Sequence, residues 1–124
     1  MGLNMLVVDD SGVMRAMIIK TLKMCGVPVG EIHQAANGEE GLKQLEDHWV
    51  DLVLVDINMP VMNGIEFLRE IKKDQTKKGI PIIVLTTQGE DALKDEALSL
   101  GAKSFMIKPF QKDELLATLK KVVG

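Results

Sequence analysis

Leu52-Val-Leu-Val-Asp56-Ile-Asn-Met-Pro60-Val-Met-Asn-Gly64 decides how this chain is read. Four branched apolar residues in a row suit a strand buried on both faces, and a loop bearing Pro and Gly follows at once. The strand ends on a carboxylate. An ionised Asp is costly in an apolar interior, so Asp56 belongs at the mouth of a sheet. Met5-Leu-Val-Val8 ends in the same way on Asp9-Asp10, and Ser104-Phe-Met-Ile107 ends on Lys108.

Outward from that stretch, five short apolar runs alternate with five helical patterns. The first run, 5–8, is followed by Ser11, a good N-cap, and by Val13, Met14, Met17, Ile18 and Leu22 at helical spacing. Gly26 and Pro28 stop that helix. The second run, 31–35, is more polar, as suits a strand near a sheet edge. Asn37 with Glu40 has the form of a capping box, opening a helix with Leu42 and Leu45 inward. A third helix is expected over 65–73, with Ile65, Leu68 and Ile71 on one face, and the charged stretch 72–79 reads as a solvated turn. The fourth strand is 81–85. A helix over 90–100 follows, acidic at its start and stopped by Gly101. After the fifth strand, 104–107, a helix over 112–123 turns Leu115, Leu116 and Leu119 inward. Trp49-Val50 is expected to be a partly buried loop anchor, and the eight methionines to be mostly core filler.

Strands apolar on both faces and separated by helices indicate a parallel sheet covered on both sides. The expected fold is a doubly wound α/β sandwich, a single domain over residues 1–124. A chain of this length can bury one core. Hydrophobic content of 46%, charged content of 27% and a net charge of -3 give no electrostatic reason to expect nucleic-acid binding. No apolar run reaches the roughly 20 residues of a membrane span, and none forms a signal-peptide core, so a cytoplasmic protein is expected. The lone Cys25, at a helix end, reads as a packing residue.

In such a sheet, ligands collect at the carboxyl ends of the strands. Asp9 and Asp10, Asp56, Thr86 and Thr87, and Lys108 all fall there. Crowded carboxylates repel one another unless a cation joins them, and Mg²⁺ suits a few carboxylates plus waters and a phosphate oxygen. Asp9 and Asp10 could hold the ion while Asp56 keeps an oxygen free as nucleophile toward phosphorus. Lys108 could neutralise charge on the transferring group, and the Thr86 hydroxyl could donate to it. Singly, each feature has a plainer reading. Asp9-Asp10 could cap a helix, Asn63-Gly64 could be only a turn, and Lys108 could be a surface lysine. The shared location is what those readings leave unexplained.

Four segments carry a resemblance over nearly the whole chain: Val7-Val-Asp9-Asp10-Ser, Asp56 through Gly64, Ile83-Val-Leu-Thr86, and Gly101-Ala-Lys-Ser-Phe105-Met-Ile-Lys108-Pro109-Phe110. Together they resemble receiver domains of bacterial two-component signalling, the response-regulator family, in its stand-alone, CheY-like form. The resemblance implies the flavodoxin-like strand order 2-1-3-4-5, which the apolar pattern alone does not supply. It implies phosphorylation of Asp56 by a histidine kinase or phosphotransfer protein. It further implies Mg²⁺ held by Asp10, Asp56 and the backbone carbonyl of Asn58, with Asp9 acting mainly through water. Thr86 and Phe105 would be the switch pair, Lys108 would pair with the phosphoryl oxygen, and the Lys108-Pro109 bond would be cis. The surface of helix four, strand five and helix five would then select a downstream protein partner, in chemotaxis for example. Phe105 stands where a Tyr is common, so no hydroxyl is available there, and Asn58 and Gln88 occupy positions that tune water access to the acyl phosphate. The implied chain is a monomer, or a dimer on phosphorylation, with no direct contact to nucleic acid or membrane.

No linker or DNA-binding module follows Val123-Gly124, which favours a stand-alone switch over the receiver part of a truncated transcription regulator. An aspartate-nucleophile phosphatase would need an Asp-x-Asp pair at the first strand and a substrate cap. A flavodoxin-like nucleotide binder sits poorly with 3% aromatics and no Gly-rich phosphate loop. A calcium loop of the usual form fails because Pro60 and Val61 stand where an acid and Gly are needed.

Overall fold

The structure, a computed structural model, describes residues 2–123. The apolar runs pair as a parallel sheet of β1 (Leu3–Val8), β2 (Val29–Ala35), β3 (Leu52–Val55), β4 (Ile82–Thr86) and β5 (Ser104–Ile107), in the order β2-β1-β3-β4-β5. The intervening helices are α1 (Gly12–Met24), α2 (Gly38–Asp47), α3 (Gly64–Lys73), α4 (Asp91–Ser99) and α5 (Lys112–Val123). This is the expected doubly wound arrangement, with β2 and β5 as its edges.

Alternation along each strand divides the core into two layers. Leu6, Val8, Val53, Val55 and Val84 pack with Leu45 of α2, with Ile65, Phe67, Leu68 and Ile71 of α3, and with Ala97 of α4. Met5, Val7, Leu52, Leu54, Ile83 and Leu85 face the other way, onto Ile18 and Leu22 of α1 and Leu115 and Leu119 of α5. Each such side chain contributes roughly 2 kcal/mol of burial against the entropy of ordering it.

The register fixes which strand ends meet. Val8 lies opposite Val55, and Val55 opposite Val84, so the strand ends stand level. The ladder runs one residue further: Asp56 N–H donates to Val8 O at 2.9 Å, and Asp9 N–H to Ala35 O at 3.0 Å. Lys108 N–H donates to Thr86 O at 2.7 Å, tying the ends of β4 and β5 together. Gly26 (φ +79) and Gly101 (φ +108) follow α1 and α4 in the left-handed region, where a Cβ would be strained.

Several sequence expectations need correction. Val13 and Met17, four residues apart on one side of α1, are exposed at 74% and 58%, because the helix turns Ile18 and Leu22 onto the sheet. Leu42 and Leu116 do face the core, as expected, though they are only partly buried against it. Trp49 is no buried anchor. It is 78% exposed, its indole N–H tied to Asp51 Oδ1 at 2.9 Å, while its neighbour Val50 enters the core. Of the methionines, Met5 and Met106 are buried, Met14, Met59 and Met62 are partly buried, and Met17 and Met24 face solvent. Cys25 does pack at the end of α1, where burial pushes its thiol up from the ordinary value.

The capping boxes also differ from expectation. Glu40 N–H donates to Asn37 Oδ1 at 2.9 Å, but the Glu40 carboxylate accepts from Ala36 N–H and from the Asn37 side-chain amide rather than from the Asn37 backbone N–H. The reciprocal box sits on α3, where Asn63 Oδ1 accepts from Glu66 N–H and Glu66 Oε1 accepts from Asn63 N–H. Asn63-Gly64, which could be only a turn, is therefore also a helix start. Asn63→Ala should lower unfolding free energy by about 1 kcal/mol in urea denaturation, since both halves of the box lose their geometry. No change would show that water replaces the cap at no cost.

Candidate functional site

Asp9, Asp10 and Asp56 each bring a carboxylate oxygen within 4.8 Å of the others. Asp9 and Asp56 are neighbours because β1 and β3 pair level, and Asp10 follows Asp9 onto the exposed rim. Lys108 arrives from the end of β5. Its Nζ lies 2.8 Å from Asp9 Oδ2 and 3.3 Å from Asp56 Oδ2, and its side chain is 7% exposed. A lysine spanning from the edge strand to the centre of the sheet is held there by charge, since its desolvation is offset by two carboxylates. The Lys108-Pro109 bond is cis.

The three carboxylates are not equivalent. Asp9 is buried with both oxygens engaged: Oδ1 accepts from Ser11 N–H at 2.9 Å, and Oδ2 from Lys108. Asp56 Oδ1 accepts from Ile57 N–H at 2.7 Å, which leaves Oδ2 with the longer, looser contact to Lys108. The exposed Asp10 carboxylate makes no hydrogen bond to the described residues. Three carboxylates against one ammonium leave a formal excess of two negative charges. An all-oxygen donor set with that excess fits a hard divalent cation such as Mg²⁺, and it offers no nitrogen or sulfur for a softer one. Asn58 lies exposed in the loop just after Asp56, two residues from the strand end.

That loop is shaped by two backbone constraints. A Cβ at position 64 would overlap the Asp56 carbonyl oxygen and come within 2.8 Å of Ile57 Cα, so only glycine lets α3 start this close to the acid. Gly64 N–H then donates to Ile57 O at 2.9 Å. Val61 holds φ +66 in a tight turn in which Met62 N–H reaches Pro60 O at 2.7 Å, a conformation that strains a β-branched residue. Strain of this kind persists where surrounding contacts impose it. Here Met62 O accepts from Gly38 N–H at the start of α2.

Thr86 is fully buried, and its Oγ1 accepts from Gln88 N–H at 3.2 Å. Phe105 pairs across from Val84 and packs, partly buried, against the same core layer. Thr86 is two residues on from Val84, so it shares that face of the sheet. The structure thus brings Asp9, Asp10, Asp56 and Lys108 into one cluster and sets Thr86 and Phe105 on the adjoining strands.

Two residues here escaped the sequence reading. Arg15 donates from Nη1 to the Asp9 carbonyl at 2.6 Å and from Nε to Gln34 Oε1 at 3.0 Å, bracing the turn after β1. A signal was present: a cation in the first turn of a helix opposes the macrodipole and calls for a nearby partner.

The charge balance predicts stability changes of opposite sign. Lys108→Ala should lower unfolding free energy by about 3 kcal/mol, because Asp9 stays buried without its cation. Asp10→Asn should raise it by roughly 0.5–1 kcal/mol by removing an exposed like charge. Urea denaturation in metal-free buffer reads both. A loss of stability in Asp10→Asn would contradict the electrostatic account.

Comparisons with known proteins agree with this geometry. The family model described as "Response regulator receiver domain" matches residues 5–120. The chain is 39% identical over 123 residues to the chemotaxis protein CheY of Thermotoga maritima, covering 98% of each. It is 38% identical over 122 residues to the phosphate regulon transcriptional regulatory protein PhoB of Pseudomonas aeruginosa, where 98% of this chain spans only about half, 52%, of the relative. Among solved structures, it superposes with TM-score 0.89 and 30% identity on a chain of the CheX-CheY-BeF3-Mg²⁺ complex from Borrelia burgdorferi, covering 98% of this chain and 90% of that one. With its acidic cluster at the level ends of β1 and β3 and a family match over most of its length, the chain belongs to the response regulator receiver domains, phosphoacceptor switches of two-component signalling.

Proposed function

We propose that Asp56 accepts a phosphoryl group from a histidine kinase or phosphotransfer protein. Its modification would then reset the surface of α4, β5 and α5 toward a protein partner. The observation that carries this reading is the Lys108 ammonium bridging Asp9 Oδ2 at 2.8 Å and Asp56 Oδ2 at 3.3 Å. A cation so placed can follow charge as it moves from carboxylate to phosphoryl oxygen.

One Asp56 oxygen attacks phosphorus as the P–N bond of the donor phosphohistidine breaks, and the bonding pair stays on the imidazole. The product is an acyl phosphate on Asp56. Asp10, Asp56 and the backbone carbonyl of Asn58 would hold Mg²⁺. Asp9, with both oxygens already engaged, would act through water. When bound, Mg²⁺ offsets carboxylate repulsion and charge on the phosphoryl oxygens. Lys108 moves from Asp56 Oδ2 to a phosphoryl oxygen, and Thr86 Oγ1 turns from Gln88 N–H to donate to another. Phe105 then fills the space beside β4. Asn58 and Gln88, both neutral, flank the path by which water reaches the acyl phosphate. Because Lys108 N–H is bonded to Thr86 O, the two responses are mechanically linked.

The near-full-length likeness to chemotaxis proteins supports a stand-alone, single-domain cytoplasmic switch that acts through protein contacts. A second reading, the receiver part of a longer transcription regulator, is favoured by the 38% identity to PhoB. The length of the encoded protein separates the two.

Acetyl phosphate with Mg²⁺ should add one phosphoryl group to the wild type and none to Asp56→Asn by intact-mass analysis. Equal labelling of both would remove Asp56 as the acceptor. Multiple turnover of a small phosphoester would instead favour an aspartate-nucleophile phosphatase.

A further inference from the structure

A second ligand cluster lies away from the phosphoacceptor site. The chain has two histidines, His33 and His48, and although 15 positions separate them in sequence, their rings stack with centroids 3.8 Å apart and planes 18° from parallel. His33 sits on β2, on the same side as Glu31 two residues before it, and His48 caps the C-terminus of α2. Nitrogen and carboxylate atoms of Glu31, His33 and His48 lie within 4.8 Å of one another. Glu31 Oε1 is 3.2 Å from His33 Nε2 but lacks hydrogen-bond alignment, so that buried nitrogen has no partner among the described residues. Buried polar atoms without partners are rare, and an imidazole nitrogen facing a carboxylate and a second imidazole suits a cation ligand.

We propose that Glu31, His33 and His48 form a binding site for a divalent transition-metal ion of the Zn²⁺ class. It would clamp the edge strand β2 to the end of α2. Two imidazoles and a carboxylate are borderline donors that select such ions over Mg²⁺, in contrast to the all-oxygen set around Asp56. Three protein ligands leave a further coordination position for water or an external donor. Stacked rings direct their in-plane lone pairs side by side, so ligation turns one ring. His48 and Glu31 are exposed and free to move, while His33, with its side chain 16% exposed, is the fixed member. Because α2 begins against Met62 in the loop after β3, a clamp on its far end is built into the same helix that braces that loop.

The test is Zn²⁺ titration of the full chain against a chromophoric chelator, in excess Mg²⁺ so that the acidic cluster is saturated. Wild type and Asp56→Asn should each bind one Zn²⁺ with micromolar affinity, and both His48→Gln and His33→Ala should bind at least tenfold more weakly. His48→Gln changes only an exposed side chain, so it reports on the site even if His33→Ala folds poorly. Zn²⁺ should also raise the Tm of wild type and leave that of His48→Gln unchanged. Unaltered affinity in His48→Gln, or loss of binding in Asp56→Asn, would overturn the proposal. Because Asp56→Asn abolishes phosphorylation without touching this cluster, failure here and failure of the phosphoacceptor reading are separate results.

Discussion

The ion cluster of Lys108 with Asp9 and Asp56 is the constraint on which the rest of the site depends. Separately, each of these side chains would be a liability at the end of an apolar strand. Together they compensate one another, and β1, β3 and β5 can each end on charge. The compensation is incomplete by design of the residue set, since Asp10 adds a further carboxylate with no partner among the described residues. A site left with excess negative charge is stable enough to fold yet gains from any added cation. In the proposed function, that would be the physical basis for coupling metal, phosphoryl group and conformation.

How the charge change travels follows from the register. Lys108 and Thr86 are joined through their backbones, and Phe105 and Thr86 share the sheet face that α4 covers. In the proposed switch, a lysine drawn toward Asp56 and a threonine turned toward it would act on two adjoining strand ends. Both strands carry the helices of the proposed output surface. The opposite side of the cluster is braced by Arg15 on the Asp9 carbonyl and by Gly64 against the Asp56 backbone.

Much of this was legible in the sequence because apolar strands and charged ends cannot coexist by chance at one edge. Asp9, Asp56 and Lys108 each follow an unbroken apolar run, and the structure brings their side chains together. The strand order came from the family resemblance, since apolar runs of similar composition do not say which neighbours which. Periodicity marks α1 as a helix but does not fix its rotation, and of its apolar set Val13 and Met17 stay exposed. Trp49 looked like an anchor by size, whereas its indole N–H is satisfied at the rim by Asp51. Arg15 with Gln34, and His33 with His48, meet only through tertiary structure; a first-turn cation calls for a partner, but no local pattern says which residue it is.

The central claim is that charge placed on Asp56 is sensed through Thr86 and Lys108 and delivered to α4, β5 and α5. The most direct measurement is backbone NMR of the chain with Mg²⁺, before and after adding beryllofluoride, in wild type and Lys108→Ala. The account predicts wild-type shifts at Asp56 that extend through Thr86, Phe105 and the amides of α4. In Lys108→Ala, the shifts should stay confined to the Asp56 loop. Equal spread to α4 in both proteins would contradict it.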